Sequence, residues 1–162
     1  MLLQKISLPA PLPGPVPVKP RAKATRCSGF ATGTLVRTLA GDRPVETLFA
    51  GDLLIDAGGR PVTLRGRQCR RLSRAALVRI MPGALDPAAR LDRDLVVGAD
   101  QPVVHADWRT RLLSDGAAAV AAWRLVDDML ITAEEQSNFQ LWSLILDRPA
   151  TLRINGLRVA IA

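Results

Sequence analysis

The chain has few cysteine, histidine and aromatic residues, which stabilise many small domains or provide their functional groups. Its 162 residues include two cysteines, one histidine, six aromatic residues and no tyrosine. Two cysteines, Cys27 and Cys69, do not make a disulfide framework. One histidine and two scattered cysteines exclude the usual four-ligand zinc site, so we predict no metal and no cofactor. No apolar run reaches about 18 residues, and no membrane span is predicted.

Residues 1–26 differ in composition from the rest. They hold five basic residues and no acidic residue, whereas the remainder holds 17 basic and 15 acidic residues. The net charge of +7 therefore belongs mostly to this segment. Alternating prolines favour extended polyproline II, which builds no core. We predict a Pro-rich basic arm over residues 1–26 and one domain over residues 27–162.

The same prolines make the start of the chain a poor signal peptide, because they break its apolar portion and no cationic segment precedes it. A cytoplasmic location is the default expectation, and export stays open.

From Phe30 onward, short apolar runs alternate with turn signals at a spacing of roughly 8–12 residues, which favours an all-β fold. Gly58-Gly59 and Asn155-Gly156 predict hairpin turns. Pro82-Gly83 predicts the end of a strand that begins near Ala75. The segment 117–131 fits a helix on propensity and a hairpin arm equally well.

An ordered series of short motifs runs through residues 28–157. The first two comprise Phe30, Gly33 and Thr34, then Gly41, Val45, Glu46, Leu48, Gly51 and Asp52. The later ones are Val78–Leu85, Arg93–Arg109 and Leu141–Pro149. Taken together they resemble the Hint domains of hedgehog proteins and inteins, in the bacterial family of short Hint domains. The resemblance implies a compact β fold of short strands and hairpins, preceded here by an extended arm.

Three of the matching residues are predicted to shape the fold. Gly33 provides the backbone freedom of a turn, and Asp52 is placed to cap backbone amides in the turn that Gly51 and Asp52 form. Thr34 and Thr38 are evenly spaced and point to one face of a strand.

The resemblance also implies a chemistry, in which the first residue's thiol attacks the preceding carbonyl while a histidine protonates the departing nitrogen. The nucleophile position is Gly29, which has no side chain. In the motif Arg93–Arg109, the family's serine and histidine positions are Gly98 and Gln101. The side-chain amide of Gln101 does not shuttle protons near neutral pH. The two histidine positions of the last motif are Ser143 and Pro149. We therefore expect a degenerate Hint domain without self-cleavage, acting as a structural or protein-binding module with a protein partner or a second copy.

Two alternatives remain open. An N-to-S or N-to-O acyl shift would use Cys27 or Ser28, which precede the nucleophile position by two residues and one. The single histidine, His105, follows Gln101 by four residues, too far along a strand for simple replacement. Nucleic-acid binding would use the basic arm and the cluster Arg65–Arg74, although aromatic residues for base stacking are few.

Overall fold

A computed structural model describes residues 14, 23–85, 91, 93–105 and 118–162. Most of the predicted arm lies outside the described residues. The strands are β1 (Thr25–Arg26), β2 (Phe30–Ala31), β3 (Leu35–Thr38), β4 (Gly41–Pro44), β5 (Leu53–Ile55), β6 (Pro61–Ile80), β7 (Leu95–Gly98), β8 (Pro102–His105), β9 (Ala118–Ala121), β10 (Ile131–Leu146), β11 (Ala150–Ile154) and β12 (Leu157–Ile161). Two short 3-10 helices cover Val45–Thr47 and Ala122–Leu125. The fold is all-β, as predicted.

The described strands are hydrogen-bonded into one continuous sheet in the order β10-β2-β7-β6-β5-β3-β11-β12-β8-β9. Strand β1 adds to β6, and β4 adds to β3. The sheet curls around buried side chains from nearly every strand, among them Phe30, Leu54, Val97 and Ile154. None of the helices in the described residues is long and apolar enough to cross a membrane.

The longest feature is the antiparallel ribbon of β6 and β10. It pairs Ile131 with Ile80 at one end and Leu146 with Leu64 at the other. The strand that was predicted to begin near Ala75 in fact begins at Pro61 and runs for 20 residues. The cluster Arg65–Arg74 therefore lies within β6. The cross-strand pairing with β10 supplies the long-range contacts that local sequence does not reveal.

Turn chemistry agrees with the backbone at both predicted hairpins. Asn155 and Gly156 have φ angles of 48° and 88°, and they join β11 to β12. A two-residue turn with positive φ at both positions matches the twist of the strands that it connects. Gly58 and Gly59 lie between β5 and β6. The hairpin predictions are confirmed.

The segment 117–131, left open between helix and hairpin, is described from residue 118 onward as β9, a 3-10 helix and a loop that leads into β10. Strand β9 pairs with β8, and this tertiary pairing outweighs the helical propensity of its alanines. The loop is tied by Asp127, whose carboxylate accepts hydrogen bonds from the backbone amides of Met129, Leu130 and Ile131.

Candidate functional site around Gly29 and Gln101

Gly29 lies just before β2, in a buried position against β10. Its φ of 132° is a backbone conformation that side-chain-bearing residues rarely adopt. A Cβ on Gly29 would lie 3.1 Å from the Cβ of Leu141 and 3.1 Å from the carbonyl oxygen of Trp142. Both the torsion angle and the available space therefore favour glycine at this position.

Gln101 bridges Gly29 to the last strand of the sheet. Its Oε1 accepts a buried hydrogen bond of 3.0 Å from the Gly29 amide, across 72 residues of sequence. Its Nε2 donates to the carbonyl oxygens of Ala160, at 3.1 Å, and Pro102, at 3.4 Å. The side chain is 3% exposed. Both ends of the amide are thus satisfied, as a buried polar group requires.

Gly98, at the end of β7, lies against the segment that enters the site. A Cβ on Gly98 would lie 2.1 Å from the carbonyl oxygen of Cys27 and 2.9 Å from its carbonyl carbon. The Gly98 amide donates to the carbonyl of Gly29 at 2.8 Å, and the Asp100 amide donates to the carbonyl of Cys27 at 3.1 Å. The end of β7 and the turn after it therefore hold the backbone on both sides of Ser28.

Ser143 lies beside Gly29, because its Oγ is 3.5 Å from where a Cβ of Gly29 would be. Pro149 lies in the connection between β10 and β11 and lines a surface cavity of about 400 Å³, together with Asp56, Arg60 and Ile161. Of the two positions from the last motif, the structure thus places Ser143 at the candidate site and Pro149 at this cavity.

Cys27 packs against the small apolar cluster formed by Leu72, Ala75, Leu77 and Leu141. Burial raises the pKa of the Cys27 thiol and outweighs the opposing effect of the nearby Arg70. Less thiolate at neutral pH makes a weaker nucleophile.

Ser28 is exposed, and Cys69 is exposed on β6. The backbone of His105 ends β8, where it pairs with Ala118. No group of three or more His, Cys, Asp or Glu side chains within the described residues is arranged to hold a metal ion.

The residues predicted to shape the fold lie in the turns around β3. The Gly33 amide, at a φ of 86°, donates to Glu46 Oε2 at 2.8 Å. The Thr34 hydroxyl donates to the carbonyl of Ala31 at 2.7 Å. Asp52 Oδ2 accepts a bond of 2.8 Å from the Phe49 amide. The contact between Gly33 and Glu46 connects the first motif to the second, and the other two contacts stabilise turns within each motif.

The arginine cluster is partly engaged within the domain. Arg67 stacks between Phe49 and Trp142, 5.3 Å and 4.8 Å from the ring centres, and donates to the carbonyl of Glu46. Arg74 forms an ion pair with Glu135.

Three carboxylates elsewhere have lowered pKa values. Hydrogen bonds from the backbone amides of Arg60 and Gly58, together with nearby arginines, lower the pKa of Asp56. Backbone amides, with Ile131 contributing most, lower that of Asp127. The Arg79 guanidinium lowers that of Glu134 and has its own pKa raised. These groups stabilise the domain and lie outside the contacts that hold Gly29.

One peptide bond, that between Ser28 and Gly29, therefore contacts the buried amide side chain of Gln101. The profile of the Hint-domain family matches residues 28–160. The chain belongs to the Hint-domain family.

Solved structures agree on the fold. A bacterial intein-like domain from Clostridium thermocellum superposes with a TM-score of 0.59 at 16% identity, covering 83% of this chain and 98% of that domain. A DnaB intein from Synechocystis superposes with a TM-score of 0.56 at 9% identity, covering 84% of this chain and 99% of the intein. The gp41-1 intein gives a TM-score of 0.54 at 11% identity, with coverage of 82% and 98%. At these identities the likeness concerns the fold alone. Comparison with curated protein sequences found no match.

Some contacts at the site had no signal in the sequence. Ala160 takes part through its backbone carbonyl, which every residue type has. Trp123 and Arg26 meet through a cation–π contact of 5.0 Å between distant segments.

Proposed function

We propose that this Hint domain holds the peptide bond between Ser28 and Gly29 without cleaving it, and serves as a structural or protein-binding module. The observation that supports this most directly is the hydrogen bond from the Gly29 amide to Gln101 Oε1. In that contact the nitrogen of the peptide bond faces a carbonyl oxygen, which accepts a hydrogen bond and has no proton to deliver. General acid catalysis of nitrogen departure needs a proton donor at this point.

The nucleophile is also missing. Gly29 has no side chain to accept an acyl group, and its positive φ and close neighbours disfavour any replacement. The loss of a general acid typically costs about 10²–10⁴-fold in rate, and without a nucleophile the covalent route does not exist. The missing general acid and the missing nucleophile both support a chain that does not cleave itself.

Exposed apolar side chains support a binding role for the module. Leu39 and Phe49 are 66% and 64% exposed, and Leu53 is 41% exposed. Leu39 and Leu53 are neighbours, since the Leu39 amide donates to the carbonyl of Leu53 at 3.0 Å. Clustered apolar side chains on a protein surface are typical of contact with another protein. A protein partner or a second copy of this chain fits this surface.

The test is the intact mass of the full chain, fused to a removable N-terminal partner, before and after incubation with a thiol and with hydroxylamine. We expect one unchanged species. Scission between Ser28 and Gly29 would refute the proposal.

The same experiment tests an acyl shift at Cys27 or Ser28. Such a shift predicts scission near residues 26–28 that Cys27→Ala or Ser28→Ala abolishes. The raised pKa of Cys27 argues against the route through Cys27, because the thiol is poorly ionised at neutral pH.

Nucleic-acid binding through the arm and Arg65–Arg74 predicts retention on heparin with a steep salt dependence. No retention at low salt would remove that alternative. The internal stacking of Arg67 and the ion pair of Arg74 leave fewer arginines in the cluster for phosphates.

A further inference from the structure

Strand β6 changes neighbours at the point where β7 ends. Along residues 77–80 its partner is β7, and the last pair joins Leu77 to Gly98. The next residues of β6, Ala75 and Ala76, pair in parallel with Thr25 and Arg26 of β1. The segment upstream of the Hint-domain match therefore pairs with β6 where the pairing with β7 ends.

The contacts that seat this segment are specific for its backbone and for one charged side chain. The carbonyl of Cys27 lies where any side chain at position 98 would stand, and it accepts the Asp100 amide at 3.1 Å. The Arg26 guanidinium lies 3.5 Å from Asp100 Oδ1 and 5.0 Å from the centre of the Trp123 ring. Asp100 thus contacts both the backbone and the basic side chain of the same segment.

We propose that the edge of β6 at Ala75–Ala76, together with Gly98, Asp100 and Trp123, is a strand-addition site for an extended segment that carries a basic residue. In this chain the occupant is the chain's own residues 25–27. Main-chain pairing supplies affinity in this mode of recognition, and side-chain pockets supply the selectivity. Here the carboxylate and the indole select an arginine, because a guanidinium both pairs with carboxylates and stacks on aromatic rings.

The site anchors the N-terminal segment independently of the chemistry at Gly29. The inference thus goes beyond the proposed function and holds whether or not the Ser28–Gly29 bond is cut. Since the occupant is covalently attached, its effective concentration is on the order of millimolar for a short tether, and a free peptide competes poorly.

Limited trypsin digestion of the full chain tests the anchoring, with products followed by intact mass. The bond after Lys23 is exposed and should be cut quickly, whereas the bond after Arg26 should be protected. Trp123→Ala and Asp100→Asn should each speed cleavage after Arg26 by about two- to fivefold, because a less firmly held segment opens more often.

Asp94→Asn is the matched control. Asp94 also pairs with an arginine, at 3.2 Å, and its side chain is 41% exposed against 40% for Asp100. It lies outside the strand-addition site, so this variant should match the wild type in cleavage after Arg26.

A labelled peptide of residues 20–28 tests recognition. Fluorescence anisotropy should show binding to the full-length Arg26→Glu chain, whose own segment no longer suits the site, and little binding to the wild type. The proposal fails if the bond after Arg26 is cut as fast in the wild type as in the Trp123→Ala chain. It also fails if the peptide binds neither chain, or binds both equally.

Discussion

Replacing Gly98 with alanine should be among the most damaging single-methyl changes in the domain. The new Cβ would lie 2.1 Å from the carbonyl oxygen of Cys27 and 3.2 Å from Leu141 Cδ1. The first neighbour is backbone held by a hydrogen bond from Asp100, so it cannot rotate away as a flexible side chain would.

The cost can be bounded in two ways. Overpacking a well-packed site costs roughly 1–3 kcal/mol, and occasionally more. If the chain relieves the clash by releasing residues 25–27, it loses the pairing with β6 and the bond between Cys27 and Asp100, each contact contributing about 1 kcal/mol. The two routes together bound the loss in the free energy of unfolding at about 1–3 kcal/mol. For a chain of this size that loss lowers the Tm by roughly 2–12 °C.

Equilibrium unfolding in urea measures the loss, and Gly66→Ala is the matched control. Gly66 also lies in the sheet, and a Cβ there would have no neighbour within 4 Å. We expect the control to stay within about 0.5 kcal/mol of the wild type or to be slightly more stable. Equal stabilities for the two alanine variants would show that the backbone of Cys27 does not pack against Gly98, and would refute the reasoning.

Three further predictions concern the site and its surroundings. Gly29→Cys should lower the free energy of unfolding by about 1–3 kcal/mol, because φ at this position is 132°. Intact mass should show no thiol-dependent cleavage of this variant. Efficient cleavage would contradict the inference that Gln101 delivers no proton to the nitrogen of residue 29. Gln101→Ala should cost about 2–4 kcal/mol in urea unfolding, because it leaves the Gly29 amide and the Ala160 carbonyl unpaired; a loss below 1 kcal/mol would show that water replaces the amide. The pKa of Asp127 is lower in the folded chain than its ordinary value of 3.8, so the ionised carboxylate stabilises the fold at pH values above 3.8. This stability is lost as the pH falls through the folded pKa. Asp127→Asn should therefore flatten the acid side of a plot of unfolding free energy against pH, and an unchanged slope would exclude this loop as a source of acid sensitivity.

Several features of this chain could be predicted from its sequence, because the chemistry of neighbouring residues determines them. The Asn155-Gly156 turn takes positive φ at both positions, which few residue types tolerate without strain, so the pair predicted a hairpin. The ordered glycines and apolar positions of the first motifs predicted the Hint fold. The absence of a nucleophile at Gly29 was visible too, because it needs only the identity of one residue.

Strand length was harder to predict. The 20 residues of β6 include a run of arginines that, taken alone, interrupts an apolar pattern. Pairing with β10 along nearly its whole length keeps this segment extended. A strand whose partner residues lie 51 to 82 positions away in the sequence is specified by tertiary contacts and only weakly by local propensity.

The sequence by itself determined which groups are present: a glycine at position 29, an amide at position 101, a basic composition over residues 1–26 and a β-rich pattern after them. Only the tertiary structure decided that Gln101 accepts the Gly29 amide, that Gly98 faces the carbonyl of Cys27, and that residues 25–26 complete the edge of β6. The physical reason is that these contacts are made largely by backbone atoms, which are the same in every residue. The path of the sheet determines which backbone atoms meet. The sequence reveals such a backbone contact only where a Cβ would clash, as at Gly29 and Gly98.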